Sequence, residues 1–154
     1  MSVAPTALYA LNHWAPIIWL KTNPYAYPAL EVVHIIGIAL VFGTIWIVDL
    51  AILGKLRAFD ANLLARHVVP WTMAGFALAA VTGLTMFATN FGDLIANRAF
   101  VLKMCLLFAA GANAAVLHGR GAIDGGSIFT RWQALLSIVI WVAIIACGRW
   151  IAYV

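Results

Sequence analysis

Four long apolar stretches dominate this sequence and leave little choice of fold. They run over about residues 28–54, 68–89, 99–118 and 132–153, and each is close to the ~20 residues that an α-helix needs to cross a bilayer. Charged residues make up only 9% of the chain, which is too few to solvate the surface of a globular domain. We therefore predict an all-α fold over residues 1–154, an integral membrane four-helix bundle forming a single domain.

The N-terminal stretch, residues 5–22, is apolar but too interrupted to form a fifth span. Pro16 and Lys21 break its apolar pattern, and Trp14 and Trp19 are typical of the lipid headgroup level. We expect an interfacial amphipathic helix lying at one membrane surface. No basic segment precedes this stretch and no small-residue cleavage site follows it, so we do not expect a removable signal peptide.

An even number of spans puts both chain ends at one membrane face, which we name side A. The loops at 55–67 and 119–131 then lie at the other face, side B. Basic residues favour the cytoplasmic face, so we expect side B to be cytoplasmic and both termini to be periplasmic. Side B carries five basic residues: Lys55, Arg57, Arg66, Arg120 and Arg131. Side A carries two in its flanks, Lys21 and Arg98, and two more inside helix ends, Lys103 and Arg149.

Ionisable side chains inside a membrane are costly, so each one is a candidate functional residue. His34 lies six residues into the first span, roughly 9 Å along the helix axis at ~1.5 Å per residue, with Glu31 one turn before it. His13 belongs to the same face of the membrane, side A. His67 opens the second span and His118 closes the third, so both belong to side B.

The four histidines therefore form two potential pairs, one at each membrane face. We expect the second and third spans to pack together because a short loop joins them. Histidine is a common axial ligand of haem iron, so the pattern favours one or two haem b groups ligated by His13, His34, His67 and His118. A histidine at a helix end can equally meet water, headgroups or a terminal carbonyl, and His34 can be a hydrogen-bonded core residue.

Two basic residues lie about one turn inside apolar runs on the same side as His34. Lys103 and Arg149 can snorkel to the headgroups, or they can hold an anion such as a haem propionate or a quinone headgroup. Glu31 is the competing internal partner. We therefore include both basic residues among the candidate cofactor-binding residues.

Asp49 lies near the side-B end of the first span. We expect it to pair with Arg66 or Arg120, or to cap a neighbouring helix end, and we assign it no chemistry.

Small residues recur at four-residue spacing on the second and third spans. Such stripes let helices approach closely, and they can also open a slot for a flat tetrapyrrole. Both interpretations stay open for the two stripes, which are Gly75, Ala79 and Gly83, and Gly111, Ala115 and Gly119.

Several functional classes lack their motifs here. The sequence has no Gly-rich phosphate loop and no serine nucleophile elbow, and its scattered basic residues do not form a nucleic-acid-binding stripe. Cys105 and Cys147 fall inside apolar runs, so we expect neither a disulfide nor a thiolate metal site. A copper path would need methionine or cysteine ligands, and no such path is evident among Met73, Met86, Met104 and the two cysteines.

Three runs carry a family resemblance: residues 31–37 (EVVHIIG), 66–71 (RHVVPW) and 113–118 (NAAVLH). From about Tyr25 onward the chain resembles an uncharacterised family of small four-span bacterial membrane proteins, which implies a bacterial inner-membrane location. More distantly, the first span resembles CopD-type copper-resistance membrane proteins and HemJ, the membrane protoporphyrinogen oxidase. In HemJ a histidine near the start of the first span and a basic residue in a later helix serve haem chemistry. The resemblance implies His34 and Lys103 as the matching positions.

These observations lead to three functional hypotheses. The first is a b-type cytochrome that passes electrons to or from a quinone or a redox partner. The second is a tetrapyrrole-handling oxidase like HemJ, and the third is a cofactor-free transporter or accessory subunit of CopD type. The exposed apolar faces also make us expect a homo-oligomer in the lipid bilayer.

Overall fold

The computed structural model describes residues 14–56, 58–121, 123 and 127–153. We number the helices of this described part in chain order: α1 Ala15–Thr22, α2 Ala26–Ile52, α3 Ala61–Thr89, α4 Phe91–Ala96, α5 Arg98–Gly119 and α6 Ile128–Trp150. Four of them, α2, α3, α5 and α6, are long and apolar enough to cross a membrane. The predicted all-helical fold with four spans is confirmed.

Helix α1 is the described part of the predicted interfacial segment. Its eight residues reach only about 12 Å at ~1.5 Å per residue, far short of a bilayer core of ~30 Å. Ile17 and Leu20 are buried, whereas Trp14 and Trp19 are 60% and 59% exposed. The helix therefore rests on the bundle through one apolar face. The rest of the predicted segment, with the candidate ligand His13, lies outside the described residues.

Helix α3 begins at Ala61, ahead of the apolar stretch from which we predicted the second span. The Asp60 side chain caps it by accepting a hydrogen bond from the backbone N–H of Leu63 at 2.8 Å. Asn62 in the first turn donates from Nδ2 to the carbonyl of Ile123 at 2.8 Å. Residues 61–67, which we predicted to lie in the side-B loop, thus form the first turns of the helix. Hydropathy detects the apolar part of a span and not its capped end.

The four spans lie in the order α3, α2, α6, α5. Helix α2 packs against α3 on one side and α6 on the other, and α5 packs against α6. Among the described residues no Cα of α3 lies within 8 Å of a Cα of α5. The prediction that the second and third spans pack together is therefore wrong. Their side chains meet at side A, where the rings of Phe87 and Phe100 are stacked with centroids 5.2 Å apart.

The small-residue stripe of α3 explains this order. A Cβ atom on Gly37 of α2 would lie 2.8 Å from the backbone nitrogen of Ala79, and one on Gly75 would lie 3.0 Å from the carbonyl oxygen of Gly37. The stripe therefore serves close packing of α3 on α2. The stripe of α5 differs, because a Cβ on Gly111 or Gly119 would meet no other described atom within 4 Å.

The bundle has two apolar clusters, and α2 and α6 contribute to both. The first lies near mid-bundle and consists of Val41, Ala110, Ile140, Trp141 and Ile144. The second lies toward side B and consists of Val48, Ile52, Ala65, Ile123 and Ala134. Large apolar side chains also cover the outside, such as Val81, Leu84 and Phe108, which are 65%, 64% and 76% exposed. An outer surface of this kind suits lipid.

Candidate functional site

The strongest candidate site is centred on His34, which α2 presents toward α3. The imidazole Nδ1 lies 2.9 Å from the hydroxyl oxygen of Thr82, and Thr82 itself is only 4% exposed. Both residues lie in the side-A half of the bundle. The structure therefore gives His34 a fixed partner on the neighbouring helix.

The hydrogen-bond network assigns the tautomer of His34. The Thr82 hydroxyl lies 2.7 Å from the carbonyl oxygen of Leu78 and 3.2 Å from that of Ala79, so its single proton is donated within α3. The hydroxyl oxygen must then accept from His34, which makes Nδ1 the protonated nitrogen. The lone pair of His34 consequently lies on Nε2, the atom that this hydrogen bond leaves free.

Gly83 makes room for the imidazole. A Cβ atom at this position would lie 3.0 Å from His34 Cε1 and 3.5 Å from Nδ1. Because residue 83 has no side chain, the ring can lie directly against the backbone of α3. Gly83 and Thr82 together fix the position of the imidazole and determine which of its two nitrogens carries the free lone pair.

Lys103 of α5 lies close enough to His34 for the two groups to interact electrostatically. Its side chain is partly buried and extends to α6, where a Cβ on Gly148 would lie 3.5 Å from Lys103 Nζ. Cys147 of the same helix is also within electrostatic range. All four spans therefore contribute to this region, in which Lys103 lies within electrostatic range of His34; a shared role in cofactor binding stays a prediction.

Arg149 and Glu31, the other charged residues expected near His34, are both exposed. The Arg149 guanidinium donates to the hydroxyl of Tyr153 at 2.6 Å and lies over that ring at 5.0 Å from its centroid. Glu31 interacts electrostatically with Tyr27. The contacts with Tyr153 hold Arg149 at the side-A rim, whereas Lys103 is partly buried.

His67 and His118 both lie exposed near side B. Each donates Nδ1–H to a carbonyl of its own helix, to Leu63 at 2.8 Å and to Ala114 at 2.9 Å respectively. They belong to α3 and α5, which do not pack together, so no helix–helix contact joins them. Their role as ligands stays a prediction, and His13 lies outside the described residues.

Asp49 does not make the contacts that we predicted for it. Asp49 is only 3% exposed, and the side chain of Ser137 on α6 lies beside its carboxyl group. Arg66 is exposed, and Arg120 lies over the ring of Phe129 at 4.4 Å from the centroid. The expected ion pair or helix cap is therefore replaced by a contact between α2 and α6.

The described residues contain no group of three or more His, Cys, Asp or Glu side chains that could hold a metal ion. Cys105 and Cys147 are free thiols, the first exposed and the second partly buried.

Residues 20–154 match a family described as a family of unknown function, DUF6644. The chain belongs to this family. The expected membership of an uncharacterised family over most of the chain is confirmed, whereas the more distant resemblance to CopD-type proteins and HemJ stays a prediction. The DUF6644 match includes His34, Thr82, Gly83 and Lys103 and begins after the predicted ligand His13. No curated protein and no solved structure matches the chain.

Proposed function

We propose that this protein is a membrane haem protein of b-type cytochrome character, in which His34 Nε2 is an axial ligand of haem b. The observation that carries the proposal is the His34–Thr82 hydrogen bond, which protonates Nδ1 and leaves the lone pair on Nε2. A metal-ligating histidine typically donates its other ring N–H in this way, which fixes the ring and strengthens the ligand. Bound haem would supply a one-electron redox centre.

Lys103 supports haem more than a bare metal ion. A haem carries two propionate groups, and an ammonium group inside an apolar bundle needs an anionic partner. Lys103 reaches the region of His34 from α5 and has no carboxylate as an electrostatic partner among the described residues. In the proposed site Lys103 pairs with a propionate and orients the haem, while Thr82 and Gly83 hold the axial imidazole.

A surface cavity of about 310 Å³ supports exchange with a quinone. It opens at side A between α1, α2 and α3, with polar groups from Asn23, Tyr27, Thr89 and Asn90 in its lining. Tyr27 and Thr89 lie seven residues from His34 and Thr82 along α2 and α3, hence about 10 Å toward the membrane surface on the same helix faces. The cavity suits a quinone headgroup above the haem.

A second haem at side B is part of the proposal, with His67 and His118 as its axial candidates and His13 as a further ligand on side A. Like His34, both side-B histidines donate Nδ1–H in a hydrogen bond; their acceptors are backbone carbonyls of their own helices, whereas that of His34 is the Thr82 hydroxyl. Two haems, one in each leaflet, would carry electrons across the membrane. We also propose a bacterial inner-membrane location with side B in the cytoplasm, and association of the exposed apolar faces in a homo-oligomer.

A tetrapyrrole oxidase of HemJ type is the second candidate. The convergence of His34 and Lys103 favours it equally, because a histidine and a basic residue are the pair that the resemblance implies for haem chemistry. In that case Lys103 would bind a substrate carboxylate. Oxidation of protoporphyrinogen by the purified protein would support this candidate, and its absence in a haem-loaded sample would favour the cytochrome.

The visible spectrum of the detergent-purified protein tests the proposal. We expect the reduced-minus-oxidised difference spectrum to show a haem b signal. This signal should be weaker or absent in His34→Ala. The variants His67→Ala and His118→Ala test the side-B haem. Each should remove the absorbance of the side-B haem and leave that of the haem at His34. A colourless preparation from haem-replete cells would exclude the proposal.

A further inference from the structure

A second polar site lies in the opposite half of the bundle, around Asp49. This residue is 3% exposed, and among the described residues its Oδ2 atom has no hydrogen-bond partner. It lies fifteen residues from His34 along α2, roughly 22 Å at ~1.5 Å per residue. The site is therefore separate from the proposed haem site.

No counter-charge neutralises Asp49 within the described residues. The charged and titratable groups at this end of α2, α3, α5 and α6 are all exposed at the side-B rim: Lys55, Asp60, Arg66, His67, His118, Arg120 and Arg131. Arg131 donates to the carbonyl of Leu53 at 3.4 Å, and Arg120 lies over Phe129. A buried carboxylate without a cationic partner is strongly disfavoured, and none of the described residues supplies that partner, which favours a bound proton or cation at Asp49.

Helix α6 carries a row of buried polar residues that leads to this carboxyl group. Thr130, Gln133 and Ser137 are 8%, 7% and 8% exposed, and their spacing of three and four residues puts them on one helix face. The row begins in the first turn of α6 at side B and reaches Asp49 at Ser137. Gln133 Oε1 is also buried without a hydrogen-bond partner among the described residues.

Beyond Ser137 the same side of α6 becomes apolar, with Ile140, Trp141 and Ile144 in the central cluster. The polar row therefore ends at the level of Asp49 and does not continue across the membrane. Water molecules entering along it would satisfy the free oxygens of Gln133 and Asp49. A row of this form connects side B to one buried carboxyl group.

We propose that Asp49 is a proton-binding site that exchanges its proton with side B along the row Thr130, Gln133 and Ser137. A proton needs a single acceptor oxygen, whereas an ion such as Ca²⁺ takes about six to eight oxygen ligands. The row offers one carboxyl, one amide and two hydroxyl groups. The protonated carboxyl group is neutral, which removes the cost of a buried charge, and it keeps Ser137 as a partner.

Infrared spectroscopy of the protein in detergent or nanodiscs tests this proposal. At neutral pH we expect the C=O stretching band of a protonated carboxylic acid, lost in Asp49→Asn. In Ser137→Ala, which keeps the carboxyl group, the band should move to higher frequency because the polar hydroxyl beside the carboxyl group is removed. Absence of a band that depends on Asp49 would overturn the proposal, as would a band that appears only when Na⁺ is withdrawn.

The rate at which the band shifts after transfer to D₂O tests the route. Gln133→Leu should slow this exchange several-fold while leaving the band in place. Thr72→Val is the matched control, because it removes a partly buried hydroxyl that donates to Thr44 at 2.8 Å and lies on α3, whose described residues do not pack against α6. Equal exchange rates in Gln133→Leu and the native protein would overturn the route along α6.

Discussion

The imidazole of His34 lies against the backbone of Gly83, so closely that a Cβ atom at residue 83 would come within 3.0 Å of Cε1. The contact joins the first two spans at the level of the proposed haem site. It also means that the side chain of residue 83 decides how far the ring can approach α3, and hence whether Nδ1 can reach Thr82.

Gly83→Val should displace the imidazole and lower the haem-to-protein ratio of the purified protein. The branched side chain occupies the space of the ring, so His34 must change rotamer or the two helices must separate. Gly111→Val is the control, because a Cβ there meets no described atom within 4 Å. Equal haem content in the two variants would show that the Gly83 contact does not hold the ligand.

Thr82→Val keeps the size of the side chain and removes the hydroxyl that accepts from His34. Loss of the hydrogen-bond partner of a metal-ligating histidine typically lowers metal affinity about 10- to 100-fold. We therefore expect the affinity for haem to fall by a similar factor. Titration of the apoprotein with haem measures this. Thr85→Val is the control, because the Thr85 hydroxyl donates to Val81 of its own helix at 2.8 Å; a similar loss there would point to a general effect on α3.

Lys103→Met should weaken haem retention without removing the axial ligand. The haem that remains should have a lower midpoint potential, because loss of a nearby positive charge favours the ferric state. Lys55→Met, at an exposed side-B position, provides a matched loss of charge far from His34. Redox titration followed by visible absorption measures both effects, and identical potentials in the two variants would separate Lys103 from the haem.

Gly37→Ala should destabilise the protein by about 1–3 kcal/mol, since its Cβ would lie 2.8 Å from the backbone nitrogen of Ala79 and overpacking costs about that much. Gly43→Ala lies on the same helix with nothing within 4 Å of its Cβ. It should raise stability by about 0.5–1 kcal/mol, because alanine is the better helix former. Thermal unfolding of both variants in detergent gives the comparison. A stabilised Gly37→Ala variant would contradict the close α2–α3 contact.

The spans were predictable because apolar length alone identifies a membrane helix. The depth of His34 followed from its position in the first span, and Lys103 could be assigned to the same side of the membrane from topology. What hydropathy does not contain is which helices are neighbours. We expected α3 beside α5 because a short connection joins them, but its glycine stripe packs on α2 instead.

The same limitation explains the partners that sequence reasoning missed. Thr82 looked like a minor polar residue in an apolar run, and only the α2–α3 register puts its hydroxyl beside His34. The sequence feature that could have indicated Thr82 is the adjacent Gly83. Gly83 lies one turn from Ala79 in the small-residue stripe, which packs on α2. We predicted an ion pair of Asp49 with Arg66 or Arg120 because these arginines lie at a similar depth. The packing of α2 on α6 instead puts Asp49 beside Ser137.

The order of the spans makes this molecule two helical hairpins, α2 with α3 and α5 with α6, whose main contact is a seam between α2 and α6. The proposed ligand His34 and its partner Thr82 belong to the first hairpin, whereas Lys103 and Gly148 belong to the second. A chain inserted one hairpin at a time therefore carries only half of this site until the second hairpin docks. Cofactor loading would then follow assembly, and a bound haem would bridge the seam and hold the two hairpins together.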